Sequence, residues 1–287
     1  MKSTISVIVP AMNEEDAVAA TVQNIQQALT GLEYEIIVVD DGSEDATAAR
    51  AREAGARVIR HPHNLGYGAA LKTGIRQAQF DTIVITDADG TYPNEQIPLL
   101  LAEYEKGFDM VVGARRGQNY LESVVKAPLR LLLKFLVEYT TGRKAPDVNS
   151  GLRVFSREKV LPYFNHLSNA FSFTTSMTLA YSMNSLFVSY VPIPYHARVG
   201  KTKVHLLRDT LRTLQYVVEG ITYYNPLKIF LLMSVLVFAA AVVSLVLALL
   251  LRLTFFLYIG MGGILMSIQV FCLGLLAVLL RQIVIKE

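Results

Sequence analysis

The sequence predicts an α/β domain with a mostly parallel sheet, followed by two membrane-spanning helices. Three observations support this prediction. Short, continuously apolar segments alternate with helical patterns over residues 5–112, polar clusters follow three of those segments, and two long apolar runs lie near the C-terminus. Strands that are apolar throughout are typical of parallel sheets covered by helices on both faces.

Composition excludes several classes of protein. The chain has 287 residues, of which 52% are hydrophobic and 18% are charged, and this length suits one large domain or two small ones. A single cysteine excludes a disulfide framework and a cysteine-rich zinc site. The formal net charge of +3 excludes a strongly basic nucleic-acid binder, so we expect no nucleic-acid partner.

The first 112 residues contain five predicted strands and four predicted helices in alternation. The strands are expected at residues 5–9, 34–39, 57–60, 82–86 and 110–112. The helices are expected at residues 15–29, 44–54, 67–78 and 95–106. This order is that of repeated strand–helix–strand units, which build a parallel sheet.

Polar clusters occupy the carboxyl ends of three predicted strands, at residues 10–14, 40–43 and 87–89. In open α/β sheets, ligands bind at the carboxyl ends of the strands. Taken singly, Asp41, Ser43 or Asn94 could each be a helix N-cap. Three such clusters together are more than the fold requires, so they predict a ligand site at this edge.

Asp87 and Asp89 flank Ala88 directly after a predicted strand. Residues two apart on an extended chain point to the same side, so the two carboxylates could share one cation. Oxygen ligands suit Mg²⁺ or Mn²⁺ bound together with phosphate oxygens. The alternative is an ordinary aspartate turn at the end of the strand.

The second part of the soluble region has a different pattern. Residues 121–141 and 206–224 have long amphipathic patterns, which fit either interfacial helices at a bilayer or helices packed on the sheet. Residues 1–110 carry 8 basic and 17 acidic side chains, whereas residues 111–225 carry 15 and 6. This asymmetry indicates one region suited to a cation and one suited to anions or a membrane surface. The alternative is a chance distribution of charged side chains over the protein surface.

Two apolar runs, about residues 229–251 and 255–280, are each long enough to cross a bilayer. Only three residues separate them, which predicts a tight hairpin; the alternative is a pair of buried core helices. Lysines and arginines precede the first run and follow the second, while the connection has only Arg252. We therefore expect a multi-pass protein with both termini in the cytoplasm, and residues 1–30 show no signal-peptide pattern.

Six motifs in order give the chain a family resemblance. They are Val-Pro-Ala-Met-Asn-Glu at 9–14, Val-Val-Asp-Asp-Gly-Ser at 38–43, Asp-Ala-Asp at 87–89, Gly-Ala-Arg at 113–115, Asn-Ser-Gly-Leu-Arg at 149–153, and Arg-Val-Gly-Lys-Thr-Lys at 198–203. Over residues 5 to about 210 the chain resembles family 2 glycosyltransferases with the GT-A fold. More narrowly, it resembles the dolichol-phosphate mannose synthase and polyprenyl-phosphate glycosyltransferase group, some of which carry similar membrane anchors.

The resemblance implies roles for individual positions. The residues that match nucleotide-sugar-binding positions are Pro10, Ala11, Asn13, Glu14, Asp41 and Asp87. The matching metal ligands are Asp87 and Asp89, with Thr91 as a further candidate. The matching lipid-phosphate-binding residues are Arg115, Arg143 (or its neighbour Lys144), Ser150, Arg198 and Lys203. Among all of these, Asp89, Arg115 and Arg198 are the expected catalytic residues.

The chain departs from the family pattern in two motifs. Many synthases in this group continue the metal motif with Leu-Gln, where this chain has Gly90 and Thr91. Thr91 could contribute its hydroxyl or a water molecule to the cation. The Asn-Ser-Gly-Leu-Arg sequence at 149–153 replaces a frequent Thr-Ser-Gly-Phe, which could alter the preference for sugar or acceptor.

These observations predict a GT-A catalytic domain with juxtamembrane amphipathic helices and a C-terminal transmembrane hairpin. Residues 1–115 would be the nucleotide-sugar-binding half, residues 116–225 the acceptor-binding half with the interface helices, and residues 226–287 the two spans. The resemblance implies an inverting enzyme of the cell or endoplasmic-reticulum membrane that uses Mg²⁺ or Mn²⁺. It would move a hexose from GDP-mannose or UDP-glucose to polyprenyl or dolichyl phosphate. Transfer to another lipid or saccharide, a non-catalytic lipid-carrier subunit, and a homo-oligomeric state all remain open.

Overall fold

The computed structural model of the chain describes residues 4–117, 127–197 and 206–284, with side chains described outside 118–130, 198–213 and 284–287. The chain divides into two compact units, Met1–Val217 and Val218–Glu287. The first contains a seven-stranded sheet with helices on its faces. The second contains the two long apolar helices.

The sheet has the strand order β3-β2-β1-β4-β6-β5-β7, and β6 is its antiparallel member. Its strands are β1 (Thr4–Ala11), β2 (Glu33–Asp40), β3 (Arg57–Arg60), β4 (Thr82–Ile85), β5 (Met110–Arg116), β6 (Arg153–Ser156) and β7 (Val188–Pro194). The mostly parallel sheet is confirmed. Both predicted halves of the soluble region contribute strands to it. The patterns did not predict β6 and β7.

Helices connect the strands and cover the sheet. In the first unit they are α1 (Val18–Ala28), α2 (Thr47–Glu53), α3 (Tyr67–Gln77), α4 (Ile97–Tyr104), α5 (Ala127–Thr141), α6 (Arg157–Val160), α7 (Phe173–Met183) and α8 (Leu206–Tyr224), the last of which continues into the second unit. Short 3₁₀ turns at Asn94–Gln96 and Leu161–Tyr163 precede α4 and follow α6. The predicted amphipathic segment 121–141 is described only from residue 127 onward.

Alternate residues of β1 face opposite layers of the core. Val7 belongs to a buried cluster that includes residues of α1 and α4. On the other face, Ile8 lies against α3, where a Cβ added to Gly74 would approach Ile8 Cγ2 to 2.3 Å. The glycine therefore allows the backbone of α3 to pack directly on the sheet. This two-sided burial explains why the strand is apolar throughout.

The second unit is a helical hairpin formed by α9 (Pro226–Leu251) and α10 (Thr254–Val284). Both helices are long and apolar enough to cross a membrane, with mean hydropathies of 2.9 and 2.5. Arg252 joins them with a left-handed backbone conformation (φ 52°). Small residues line their contact: Gly263 of α10 lies against Ala241 of α9. The predicted hairpin is present, and these helices are suited to membrane anchoring.

Candidate active site

The candidate site lies at the carboxyl edge of the parallel strands. β1, β2, β4 and β5 all end there because they run in the same direction. β6 runs the opposite way, and its first residue, Arg153, pairs with Ile85 at the end of β4. The segment before β6 therefore lies beside the Asp-Ala-Asp motif after β4, although the two are more than 60 residues apart in sequence.

Asp87 is held by two segments that are distant in sequence. The hydroxyl of Tyr67, the first residue of α3, donates a hydrogen bond of 2.8 Å to Asp87 Oδ1. A Cβ added to Gly151 would lie 2.9 Å from both carboxylate oxygens, so the carboxylate rests directly on the Gly151 backbone. The Gly151 N–H in turn donates to the Tyr92 hydroxyl at 2.6 Å. The position of Asp87 thus depends on three loops of the same edge.

Asp89 is buried and is oriented by its near neighbour Thr91. Asp89 Oδ1 accepts hydrogen bonds from the Thr91 hydroxyl at 2.6 Å and from the Thr91 backbone N–H at 3.1 Å. Both side chains are almost fully buried. The structure therefore shows the Thr91 hydroxyl as a donor to Asp89, a role that orients the predicted metal ligand.

The chain that follows β7 reaches this same site. The His196 backbone N–H donates to the Thr91 carbonyl oxygen at 3.0 Å, and Tyr195 packs edge-on against Tyr92. His196 is two residues before Arg198. Arg198 and Lys203, two of the predicted phosphate-binding residues, lie outside the described residues.

The loops that follow β1 and β2 are bonded to each other. The Asn13 backbone N–H donates to Ser43 Oγ, the Asn13 side-chain oxygen accepts from the Glu44 N–H, and the Glu14 N–H donates to Thr47 Oγ1. Asn13 has a positive φ of 49°, which an asparagine tolerates better than most residues. The structure thus brings Pro10, Ala11, Asn13 and Glu14, predicted to bind the nucleotide sugar, next to the loop of Asp41.

Asp41 accepts three hydrogen bonds. Its carboxylate bonds to His61 Nδ1 at 2.7 Å, to the Leu65 N–H at 2.9 Å and to the Gly66 N–H at 2.8 Å. The side chain is buried. These bonds hold the loop before α3, so Asp41 supports the wall of the predicted nucleotide site.

Arg115, at the end of β5, forms a bidentate ion pair with Asp147. Its Nε and Nη2 atoms lie 2.7 Å and 2.9 Å from the two carboxylate oxygens, and its guanidinium lies over the Tyr195 ring at 5.3 Å. Burial alone would lower the pKa of Arg115, but Tyr92 and Asp147 beside it raise that pKa well above its ordinary value. Burial would raise the pKa of Asp147, but the Arg115 guanidinium holds it below the usual range.

Two predicted phosphate-binding residues occupy other positions. Ser150 is fully buried, and its hydroxyl donates to the Gly113 carbonyl oxygen at 2.5 Å, so it secures the loop from within. Arg143 donates to the Leu186 carbonyl oxygen at 2.6 Å, just before β7 begins. This is the amino edge of the parallel strands, opposite the carboxyl edge, so the structure does not bring Arg143 together with Asp87 and Asp89.

The sequence reasoning missed three residues that shape the site. Tyr67 and Tyr92 support Asp87 and Gly151, and Asp147 pairs with Arg115. Tyr67 lies between two glycines that begin a helix, which gives no sign of a contact with Asp87. Asp147 lies two residues before the Asn-Ser-Gly-Leu-Arg motif, and this position could have marked it as a candidate site residue.

The chemistry of the donor set fits a divalent cation. Asp87 and Asp89 supply carboxylate oxygens from positions two apart in one loop, and each accepts a hydrogen bond from an uncharged hydroxyl. Mg²⁺ and Mn²⁺ prefer such hard oxygen ligands, and they are commonly bound by one or two carboxylates together with phosphate oxygens. Among the described residues, no cluster of three or more histidine, cysteine or acidic side chains offers a metal site made of protein ligands alone.

Comparison with known proteins identifies the family. The model of glycosyl transferase family 2 matches residues 6–164, more than half of the chain. The chain belongs to glycosyl transferase family 2. This assignment confirms the family resemblance; the matched residues include the first five of the six motifs and strands β1 (from residue 6) to β6.

Relatives of this family member include enzymes named for lipid phosphates. The chain is 37% identical over 162 residues to an undecaprenyl-phosphate 4-deoxy-4-formamido-L-arabinose transferase of Pseudomonas fluorescens, covering 53% of this chain and 47% of the relative. It is 33% identical over 230 residues to a low-salt glycan biosynthesis hexosyltransferase of Haloferax volcanii, covering 77% and 54%. The chain thus spans about half the length of these two relatives. A dolichyl-phosphate hexose transferase of Haloferax volcanii is 30% identical over 202 residues, covering 70% of this chain and 86% of the relative.

Solved structures of similar fold include glucosyl-3-phosphoglycerate synthase from Mycobacterium tuberculosis, in complex with Mn²⁺, uridine diphosphate and glucosyl-3-phosphoglycerate. The TM-score is 0.63 at 24% identity, over 76% of this chain and 80% of that one. The similarity confirms the predicted GT-A fold.

Proposed function

We propose that this family 2 member transfers a hexose from a nucleoside diphosphate sugar to a polyprenyl phosphate at a membrane. The observation that carries the proposal is the oriented pair Asp87 and Asp89 at the carboxyl edge of the sheet. Relatives named as undecaprenyl-phosphate and dolichyl-phosphate transferases support the choice of acceptor. The apolar hairpin of α9 and α10 supports a lipid substrate, because it suits an anchor in the bilayer that contains it.

Asp87 and Asp89 are the residues that would hold a divalent cation. When bound, Mg²⁺ or Mn²⁺ would stabilise the negative charge of the departing diphosphate. The bonded loops after β1 and β2, with Pro10, Ala11 and Asn13, would hold the nucleoside part of the donor. Solved relatives of the fold with Mn²⁺ and uridine diphosphate support a divalent cation in this role.

The acceptor phosphate needs a positively charged binding site more than it needs a general base. A lipid monophosphate is largely ionised at neutral pH, so its oxygen is already a nucleophile. We propose that this oxygen attacks the anomeric carbon directly, that the bond from that carbon to the nucleoside diphosphate breaks, and that the anomeric configuration is inverted. Arg115, Arg198 and Lys203 are the proposed cationic residues, since arginine and lysine both bind phosphate well.

The proposed location is the cytoplasmic face of a membrane, with both termini in the cytoplasm. Lys228 lies in the first turn of α9 and Arg281 lies near the end of α10, whereas Arg252 is the basic residue of the short connection. This distribution follows the positive-inside rule. Protease protection of tagged termini in sealed vesicles tests the orientation.

Transfer of sugar to lipid tests the activity. Purified full-length protein is incubated with polyprenyl phosphate, Mg²⁺ or Mn²⁺, and each of several nucleotide sugars, including GDP-mannose and UDP-glucose. Lipid-linked product is measured by mass spectrometry, and its anomeric configuration by NMR. We expect one donor to be preferred and Asp89→Ala to abolish transfer. A control variant is Glu53→Ala, because Glu53 is exposed at the end of α2.

Two results would contradict the proposal. Unchanged transfer by Asp89→Ala would refute the metal assignment. Product on a saccharide or a neutral lipid, with none on polyprenyl phosphate, would refute the acceptor.

A further inference from the structure

The carboxylate of Asp87 is contacted by a backbone segment and by a tyrosine hydroxyl, both distant from it in sequence. Both carboxylate oxygens lie against the backbone of Gly151, which limits movement on that side. Tyr67 donates to Oδ1 at 2.8 Å from α3, a different element. The carboxylate is therefore confined by a backbone surface and oriented by the tyrosine.

Tyr67 is itself held by the loop that precedes α7. The Phe171 ring stacks on the Tyr67 ring with 5.6 Å between centroids and an angle of 21° between planes. The same loop packs on the start of α3: a Cβ added to Gly66 would lie 2.5 Å from the Asn169 carbonyl oxygen. Lys72, one turn into α3, donates to the Leu167 carbonyl oxygen at 2.6 Å. These contacts fix the ring that carries the hydroxyl.

An uncharged donor is suited to this position. A lysine or arginine at the same place would orient the carboxylate but would also oppose a bound cation by its charge. A phenol hydroxyl orients one oxygen and leaves the negative charge of the carboxylate in place. The ordinary pKa of a tyrosine hydroxyl is about 10, so the group keeps its proton and can donate at neutral pH.

We propose that Tyr67 is a positioning residue that orients the Asp87 carboxylate toward the divalent cation, and that Phe171 holds Tyr67 in place. This inference rests on the proposed function, in which Asp87 is a metal ligand. Groups that hydrogen-bond to a metal ligand commonly affect metal affinity by about 10- to 100-fold. Since Tyr67 acts through Asp87, its loss should weaken cation binding without removing a ligand.

Binding of Mn²⁺ gives a readout that does not depend on transfer. Free Mn²⁺ is measured by electron paramagnetic resonance in the presence of full-length protein in detergent and uridine diphosphate. Tyr67→Phe keeps the ring and its stacking but removes the hydroxyl, and we expect about 10-fold weaker Mn²⁺ binding. Phe171→Leu removes the stacking partner, and we expect a smaller loss of affinity.

Tyr181→Phe is the matched control. Tyr181 is fully buried in α7, and its hydroxyl has no hydrogen-bond partner within the described part of the chain. We expect its Mn²⁺ affinity to equal that of the wild type. In transfer assays, Tyr67→Phe should need about 10-fold more Mn²⁺ for half-maximal rate and should recover most of the rate at saturating Mn²⁺. A purely structural defect would not be rescued by the cation.

The outcomes separate this inference from the proposed function. If Asp87→Asn loses Mn²⁺ binding while Tyr67→Phe binds like the wild type, the role of Tyr67 is overturned and the metal site stands. If Asp87→Asn also binds Mn²⁺ normally, both are overturned. Wild-type affinity in Phe171→Leu overturns the part assigned to Phe171.

Discussion

Two charged groups at the same sheet edge are held by different kinds of partner. Asp87 and Asp89 accept hydrogen bonds from the uncharged hydroxyls of Tyr67 and Thr91. Arg115 is instead paired with the Asp147 carboxylate through two hydrogen bonds. The hydroxyl donors orient a negative charge and add no positive charge of their own, whereas Asp147 balances a positive charge with a negative one.

The difference bears on what each group can do. A neutral donor adds no positive charge that would oppose a cation bound to the carboxylate, which suits a metal site. A guanidinium already paired with a carboxylate is fixed in direction, but the pair as a whole is neutral. We therefore expect the proposed acceptor phosphate to depend more on further cations, and Arg198 and Lys203 follow in sequence the segment that the His196–Thr91 bond joins to this edge.

The largest expected effect comes from breaking the ion pair. Asp147→Asn leaves the Arg115 guanidinium, whose side chain is only 15% exposed, without the Asp147 carboxylate, and an uncompensated charge inside a protein typically costs about 3–5 kcal/mol. We expect a correspondingly lower unfolding free energy and melting temperature for the purified protein, measured in detergent. In the double variant Arg115→Met, Asp147→Asn, part of this stability should return, because no buried charge remains unpaired. If the single variant lowers the free energy of unfolding by less than about 1 kcal/mol, the Arg115–Asp147 pair contributes no more than an exposed surface ion pair does.

A smaller effect, on activity, is expected from Gly151→Ala. The added Cβ would lie 2.9 Å from both oxygens of Asp87, so that short side chain must move. We expect transfer to fall by about 10-fold or more, because small displacements of reacting groups or ligands are costly. The melting temperature should change little.

A glycine in open surroundings provides the control for that variant. Gly262 in α10 has no atom within 4 Å of an added Cβ, so Gly262→Ala should keep wild-type transfer. Full transfer activity in Gly151→Ala would show that the site tolerates displacement of Asp87. The precise orientation of this carboxylate would then not matter for activity.

The smallest expected effect is on stability and concerns Lys72, which bonds to the loop whose Phe171 stacks on Tyr67. Burial, and then Arg76, lower the pKa of Lys72 to about 8 from its ordinary value of 10.5. Between these values the unfolded chain binds more protons than the folded one, so stability rises with pH. From pH 8 to pH 9 the gain should be about 1 kcal/mol, since the slope cannot exceed about 1.4 kcal/mol per pH unit.

Lys72→Met isolates this contribution. Its melting temperature should lack the rise between pH 8 and pH 9 that the wild type shows in the same detergent. If the melting temperatures of the two proteins change with pH in the same way, Lys72 has an ordinary pKa.

The predicted strands that became β1, β2 and β4 were visible in the sequence because burial on both faces requires apolar residues throughout. β6 was not predicted, because its first residue, Arg153, belongs to the Asn-Ser-Gly-Leu-Arg motif and an arginine is almost never fully buried unless it is paired. That arginine is fully buried, and its guanidinium donates to the Val148 and Ser150 carbonyl oxygens. β7 contains two prolines, which fit its position at the edge of the sheet but obscure a strand pattern.

The sequence by itself determined the alternation of strands and helices, the apolar hairpin and the carboxylates after β4, because each depends on local pattern or composition. Only the tertiary structure decided which groups those carboxylates meet. Tyr67 reaches Asp87 from another loop, Gly151 reaches it because β6 runs antiparallel, and Arg143 lies at the opposite edge. The physical reason is that sheet order and strand direction, which bring distant loops together, arise from packing of the whole chain.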